Sequence, residues 1–291
     1  MIITKLQGGL GNQMFQYAAG RSLANRHNTQ LKIDISKFRY SKHREYNLIP
    51  FNIIENLASK NDLLRIKMPS SAIGNLLVNI NLTFSGNQPI DFKKESVFHF
   101  DSDFLNLHDN VYLEGYWQSE KYFKSIEGII RNEFSIKIPP DPINQNFITD
   151  VLKCNSVSLH IRRGDYISDP KAMKIHGVLG IDYYSEALER IEQKVNCPKI
   201  FVFSDNIQWA MDNLKTNLPL QFIDHNKGDK SFEDLRIMSN CKHHIIANSS
   251  FSWWGAWLCS NPAKIVISPR KWFNQSTNDT KDLCPDMWIK I

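Results

Sequence analysis

The sequence has no apolar run approaching the roughly 18 residues that a membrane-spanning helix needs, which argues against a membrane-embedded protein. Its start, Met1 to Leu6, is too short for a signal peptide and has no basic region ahead of an apolar one. Cysteine is scarce. Cys154, Cys197, Cys241, Cys259 and Cys284 are odd in number, widely spread and never in a C-x-x-C pair, so a disulfide framework is disfavoured and a reducing compartment fits. The basic residues form neither a dense cluster nor a basic helix, and a nucleic-acid partner has little support. Internal repeats and low-complexity tracts are missing as well. Together these absences lead us to expect a cytoplasmic protein, in which the sequons at Asn81, Asn248, Asn274 and Asn278 carry no glycosylation argument.

What is present is an ordinary globular composition, 42% apolar and 22% charged over 291 residues, enough for one large domain or two of common size. The net charge of +5 is mild and compatible with a phosphate-bearing ligand, or with peripheral contact at the inner face of a membrane. Ile2 to Leu6 reads as a strand, Gly8-Gly9-Leu10-Gly11 as a tight turn, Asn12 to Arg26 as a helix and Leu31 to Ile35 as a second strand. Gly9-x-Gly11 begins a dinucleotide fingerprint, with an acidic residue roughly 20 positions on. Met14 occupies the third glycine position, which disfavours a nicotinamide enzyme. A glycine turn leading into a helix start can still hold a phosphate or a sugar hydroxyl; a turn needing glycine only for its backbone angles is the plainer alternative.

Residues 36 to 100 are less patterned, with helical spacing around Asn56 to Met68 and Ile73 to Ile80. Asp101-Ser102-Asp103 after an aromatic run matches a short metal-binding signature, but an aspartate capping the next turn explains it better. Val111 to Gly115 reads as a strand, and Ser119 as the N-cap of a following helix. Pro139-Pro140-Asp141-Pro142 can continue neither helix nor central strand, so we place a domain junction there, giving domains 1–140 and 141–291, with the last residues packing back on the first. Beyond it, short apolar strands ending near Arg162, Phe203, Phe222, Ala247 and Ile267 alternate with helices, the pattern of parallel βαβ units.

Val157, Leu159 and Ile161 alternate with Ser158, His160 and Arg162, and the run ends in Arg162-Arg163-Gly164-Asp165. Other strands of this half end in Ser204-Asp205-Asn206, Asn248-Ser249-Ser250 and Ser268-Pro269-Arg270. In a parallel sheet these ends share one edge, the edge at which open α/β sheets bind ligands, and two arginines there suit an anion. An Arg–Asp pair closing a turn is the alternative. Ser249, Ser250 and Ser252 at a helix start can hold a diphosphate or simply cap the helix. Trp253, Trp254 and Trp257 read as helix core. Ser231 to Asp234 resembles a capping box, which makes Asp234 a helix-start residue first and a ribose or base contact second. His176, in a polar loop, is a candidate catalytic residue beside the simpler reading of a solvated histidine.

His160-Ile161-Arg162-Arg163-Gly164-Asp165 matches the H-x-R-R-x-D motif of α-1,2- and α-1,6-fucosyltransferases. Gly8 to Ala18, Gly115 to Phe123 and Asn248 to Trp257 resemble the bacterial α-1,2-fucosyltransferase family in particular, so the likeness spans almost the whole chain. The resemblance implies an α/β fold of the GT-B type, with two Rossmann-like domains facing a cleft, the first on the acceptor side and the second binding GDP-fucose. It further implies transfer of fucose with inversion to a galactose-type hydroxyl of a glycan, either an O-antigen, lipid-linked or not, or an oligosaccharide, without a metal or other cofactor. Arg162 is then the phosphate-binding and catalytic residue, with Arg163, His160 and Asp165 beside it. Asn12, Ser204, Asp205, Asn248, Ser249, Ser250, Phe251 and Ser252 supply donor contacts. Asp165, Asp169 and His176 are the candidates for deprotonating the acceptor. A related GDP-sugar transferase of another linkage, and a nucleotide-sugar or glycan-binding protein without turnover, are the competing expectations.

Overall fold

A computed structural model describes residues 1–41, 44–67, 78, 88–164, 167, 169–274 and 278–291. The chain forms two units, Met1–Lys137 with Lys281–Leu283, and Ile138–Thr280 with Cys284–Ile291. The helical spacing at Ile73 to Ile80, apart from residue 78, and Asp165 lie outside the described residues.

In the first unit β1 (Ile2–Lys5), α1 (Leu10–Arg26) and β2 (Leu31–Asp34) form a parallel β-α-β unit in which Ile2 pairs with Leu31. With β3 (Asp91–Lys94) and β4 (Val111–Glu114) they make a parallel sheet of order β2-β1-β4-β3. α1 shows no clean amphipathic stripe because it is buried nearly all round, and most of its buried polar groups are paired inside. Gln13 Nε2 donates to the Gly8 and Glu45 carbonyls, and Gln16 Oε1 accepts the Gln7 N–H. Tyr17 and Arg21 both bind Glu133 at the end of a helix over Glu127–Glu133. Of the helical spacing at Asn56 to Met68, the described residues are helical at Lys60–Leu64, started by a Ser59–Asp62 capping box. Ser119 does act as a cap, but of a single 3₁₀ turn over Glu120–Tyr122.

In the second unit the helices and strands alternate. Asp141 caps α4 (Pro142–Lys153, the Glu127 and Lys60 helices being α3 and α2), with Pro142 in the first turn, where its missing N–H costs nothing. There follow β5 (Asn155–Ile161), α5 (Pro170–His176), α6 (Ile181–Lys194), β6 (Pro198–Ser204), α7 (Ile207–Asn213) and β7 (Leu220–Ile223). α8 (Ser231–Asn240), β8 (His243–Ile245), α9 (Ser250–Leu258), β9 (Val266–Ser268) and β10 (Ile289–Lys290) complete it. The parallel order β7-β6-β5-β8-β9-β10 is that of a Rossmann sheet, whose switch point lies between the first strand and the fourth, here β5 and β8.

The alternation along β5 predicts one wet face, yet both faces are buried. Val157, Leu159 and Ile161 pack with Tyr184, Leu188 and Ile191 of α6. Ser156, Ser158 and His160 are also shielded, since a central parallel strand is covered on both sides. Ser156 Oγ donates to the Val151 carbonyl, and Ser158 Oγ lies 2.8 Å from His244 Nδ1. Trp253, Trp254 and Trp257 are core, Trp253 meeting Trp288 at 5.5 Å. At the far end of α9, Lys264 Nζ donates to the carbonyls of Ala256, Trp257 and Cys259. Among the described residues no helix is long and apolar enough to cross a membrane.

Candidate active site

The arginines leave β5 at the switch point of the second sheet and are fixed from the neighbouring strand. Asp205, one residue past β6, binds Arg162 Nε at 3.1 Å with Oδ2 and accepts the Arg163 N–H at 2.8 Å with Oδ1. The Arg162 N–H donates to the hydroxyl of Tyr184. The Arg163 guanidinium lies 3.9 Å from the ring centroid of Trp209 on α7, a cation–π contact. Gly164 lets the chain pass closely, because a Cβ there would sit 2.8 Å from Asp205 Oδ2. Among the described residues, Asp205 thus holds both arginines, one by its side chain and the other by its backbone N–H, which limits the freedom of two groups that stay charged.

His160, the last inward polar residue of β5, is 6% exposed and faces Phe251 at 5.7 Å across the switch point. Burial pushes its pKa down to about 4, with the Asp205 carboxylate opposing and Arg162 assisting, so the ring is neutral at pH 7. Its Nδ1 is buried without a hydrogen-bond partner. A buried orphan of this kind is met by water or ligand in most proteins.

The serine-rich segment after β8 is more structural than its composition suggests. Ser249 is the N-cap of α9, its Oγ accepting the Phe251 N–H at 3.4 Å, and Ser252 Oγ donates back to the Ser249 carbonyl at 3.3 Å. Both hydroxyls thus turn into the first turn, while Ser250 is half-buried beside them. Asn248 uses its amide nitrogen to tie the carbonyls of His176, Gly177 and Trp272. His176 and Asn248 are thereby brought together, through the backbone of one and the side chain of the other. The His176 imidazole stands 5.4 Å from Phe273. Ser204 Oγ accepts the Asn206 N–H, and Asn206 in turn caps α7.

Asp234 forms no capping box. The N-cap of α8 is Lys230, without a side-chain cap, and Asp234 instead accepts from Asn226 in the loop after β7, Asn226 being held by Asn144. Burial pushes the Asp234 carboxyl up to about 7. Asp101 is the cap that its surroundings predict, accepting the Asp103 N–H at 3.0 Å and pairing with Lys93. In the first unit, Asn12 lies in the first turn of α1 and accepts from Gln118 Nε2 at 2.7 Å. Trp209, Asn206 and Gln118 are missed from sequence. The acid at the strand end next to the arginines was the available signal for such a clamp, since a fixed cation pair needs a fixed counter-charge.

Two parallel α/β units of Rossmann type, with a cationic strand end at the switch point of the second, define a glycosyltransferase of the GT-B fold. The chain belongs to glycosyl transferase family 11, whose family model matches residues 1–291. It is 35% identical over 301 residues to an alpha-1,2-colitosyltransferase of Escherichia coli, covering 100% of this chain and 99% of that protein. It is 36% identical over 307 residues to the O-antigen biosynthesis glycosyltransferase WbnK of Escherichia coli, covering 98% and 99%. Among solved structures, a mutant of Arabidopsis thaliana FUT1 in complex with GDP superposes with a TM-score of 0.54 at 11% identity, over 98% of this chain and 74% of that one, a likeness of fold.

Proposed function

We propose that the protein is an α-1,2-fucosyltransferase that moves fucose from GDP-fucose, with inversion, to a galactose-type hydroxyl of a glycan. The observation that carries this reading is the arginine pair clamped by Asp205 at the switch point between β5 and β8, after which α9 starts. As the bond from the anomeric carbon to GDP breaks, negative charge grows on the diphosphate. Arg162 and Arg163 meet that charge with donors that stay protonated, and the N–H groups of the α9 start add to them, so the reading needs no metal ion. Neutral His160 brings no further charge but offers Nδ1 to the donor. Asp234 is our assignment for the base or ribose contact. The acceptor oxygen attacks from the opposite face and passes its proton to Asp165, Asp169 or His176.

The α-1,2 linkage and a glycan acceptor are supported by the two Escherichia coli relatives, one named for α-1,2 transfer and one for O-antigen biosynthesis. A cytoplasmic protein working at the inner face of the membrane, with a net charge of +5, is the setting we infer for a lipid-linked acceptor. The assay is incubation with GDP-fucose and lactose in excess EDTA, followed by linkage determination. Fucose on O2 of galactose is expected; fucose on O3 or O6, or strict dependence on manganese, overturns the reading. The colitosyltransferase relative favours a second donor, so the corresponding colitosyl donor belongs in the same assay. A higher kcat/KM with it reassigns the donor while leaving the linkage.

A further inference from the structure

The first unit has a switch point of its own. From β1 the chain runs to β2 on one side of the sheet and later fills β3 and β4 on the other, so the crevice at the carboxyl edge lies between β1 and β4. The chain leaving β4 there, Gly115-Tyr116-Trp117-Gln118, has an unusual backbone. Trp117 takes φ +53°, a left-handed conformation costly for a bulky side chain, and its indole Nε1 is buried without a hydrogen-bond partner. Two features hold this turn. Glu95, one residue past β3, accepts the Tyr116 N–H at 2.7 Å with Oε2 and the Trp117 N–H at 2.9 Å with Oε1. The Trp117 ring is wedged against Phe104 at 4.9 Å and Tyr122 at 5.5 Å. Gly115 permits the approach, since a Cβ there would lie 2.4 Å from Glu95 Cβ. Burial raises the Glu95 pKa against the pull of its two N–H donors.

A strained turn stapled by a largely shielded acid is more than a loop requires, and its product is the placement of two side chains. Tyr116 is left 40% exposed, next to the buried Trp117. Gln118 reaches back to Asn12 at the start of α1, so that two amides meet between the ends of β1 and β4. Arg44 borders the same edge beside Gly9. An exposed ring, with a largely shielded amide pair two residues further along the same turn, offers the chemistry that recognises a neutral pyranose: the ring covers the apolar C–H face of the sugar, and amides take its hydroxyls.

Building on the function proposed above, we propose that the Tyr116 turn is the subsite for the acceptor sugar, with Tyr116 as its stacking surface, Gln118 and, in place of the donor contact that the resemblance implies, Asn12 as hydroxyl contacts, and Glu95 as the positioning residue that aims the turn. The experiment is steady-state kinetics in which donor and acceptor are varied separately, together with calorimetry of GDP binding. Tyr116→Ala should raise the acceptor KM about tenfold or more, with donor KM and GDP affinity held. Tyr116→Phe, which restores the ring, should bring the acceptor KM back to within about threefold of wild type. Glu95→Gln should raise the acceptor KM with the same split, since it keeps the volume but offers one acceptor oxygen where two are used. An unchanged acceptor KM in Tyr116→Ala, or a donor KM rising in parallel, overturns the subsite. If the wild-type protein transfers another sugar to another glycan, the donor and linkage readings fail, and the same split measured with that acceptor still decides the subsite.

Discussion

The carboxyl edges of the two sheets are built alike and charged differently. In the second unit the edge is a pair of arginines held by Asp205, with α9 starting after the adjacent strand β8. In the first unit the edge carries the Lys5–Glu114 ion pair, the Asn12–Gln118 amide pair and Tyr116, with Arg44 beside Gly9, and the acid, Glu95, binds backbone N–H groups instead of a cation. In both, a carboxylate one residue beyond a strand fixes what the adjacent strand presents. The difference lies in what is being fixed, a cationic fork in one case and a turn of chain in the other. On the readings proposed above, one scaffold serves an anionic leaving group at one edge and a neutral sugar at the other by changing a few residues at strand ends.

The contrast breaks most sharply at Arg162. Arg162→Ala should lose roughly 2 to 5 kcal/mol of transition-state stabilisation, which is roughly 30- to several-thousand-fold in kcat/KM, while melting close to wild type. Near-normal turnover would show that the cationic edge is not what handles the leaving group. Asp234 sharpens the comparison through pH. Its folded pKa of about 7 lies above the ordinary carboxyl value, so its favourable contribution is full below about pH 4 and is lost as pH rises through 7. Asp234→Asn should therefore match wild type near pH 4 and be more stable at pH 8, by about 2 kcal/mol after discounting for its partial exposure, as read by denaturant melts. A stability difference that is flat with pH would show that burial does not hold the Asp234 carboxyl above its ordinary range. A smaller effect is expected at Asp205→Asn, which keeps the shape but weakens the clamp. GDP affinity should fall about tenfold, with the acceptor KM unmoved. An acceptor KM rising as much as the GDP dissociation constant would mean that the edges do not divide the labour in this way.

Much of the frame is legible in the sequence because it rests on period and punctuation. The strand into Arg162, the helix from Tyr183 to Lys194 and the helix after Ser250 carry their own signals and fall within a residue or two of the observed limits. What escapes is instructive. β3, with one apolar residue in Asp-Phe-Lys-Lys, has no alternation and owes its pairing to β4. α4 hides behind prolines that mark a break, although a proline after an aspartate is equally a helix start. At the site, the two arginines are visible from sequence, but the roles of Asp205, Trp209 and Glu95 depend on which strands lie side by side. Ser249, Ser252 and Asn248 look like ligand groups by composition and turn out to be engaged with their own backbone, because a helix start and a loop junction use the same hydroxyls and amides that a ligand would.

α9 is nine residues long, so its two ends stand roughly 13 Å apart. A helix carries about half a positive charge at its start and about half a negative charge at its end, and an anion at the start normally feels both. The ammonium of Lys264, seated on three terminal carbonyls, covers the negative pole. The start of α9 therefore acts on its surroundings more nearly as a lone positive pole, and how well it attracts an anion is set in part by a lysine at the opposite end of the helix. Lys264→Met should weaken GDP binding by about 0.3 to 1 kcal/mol, with an effect that fades as salt is raised.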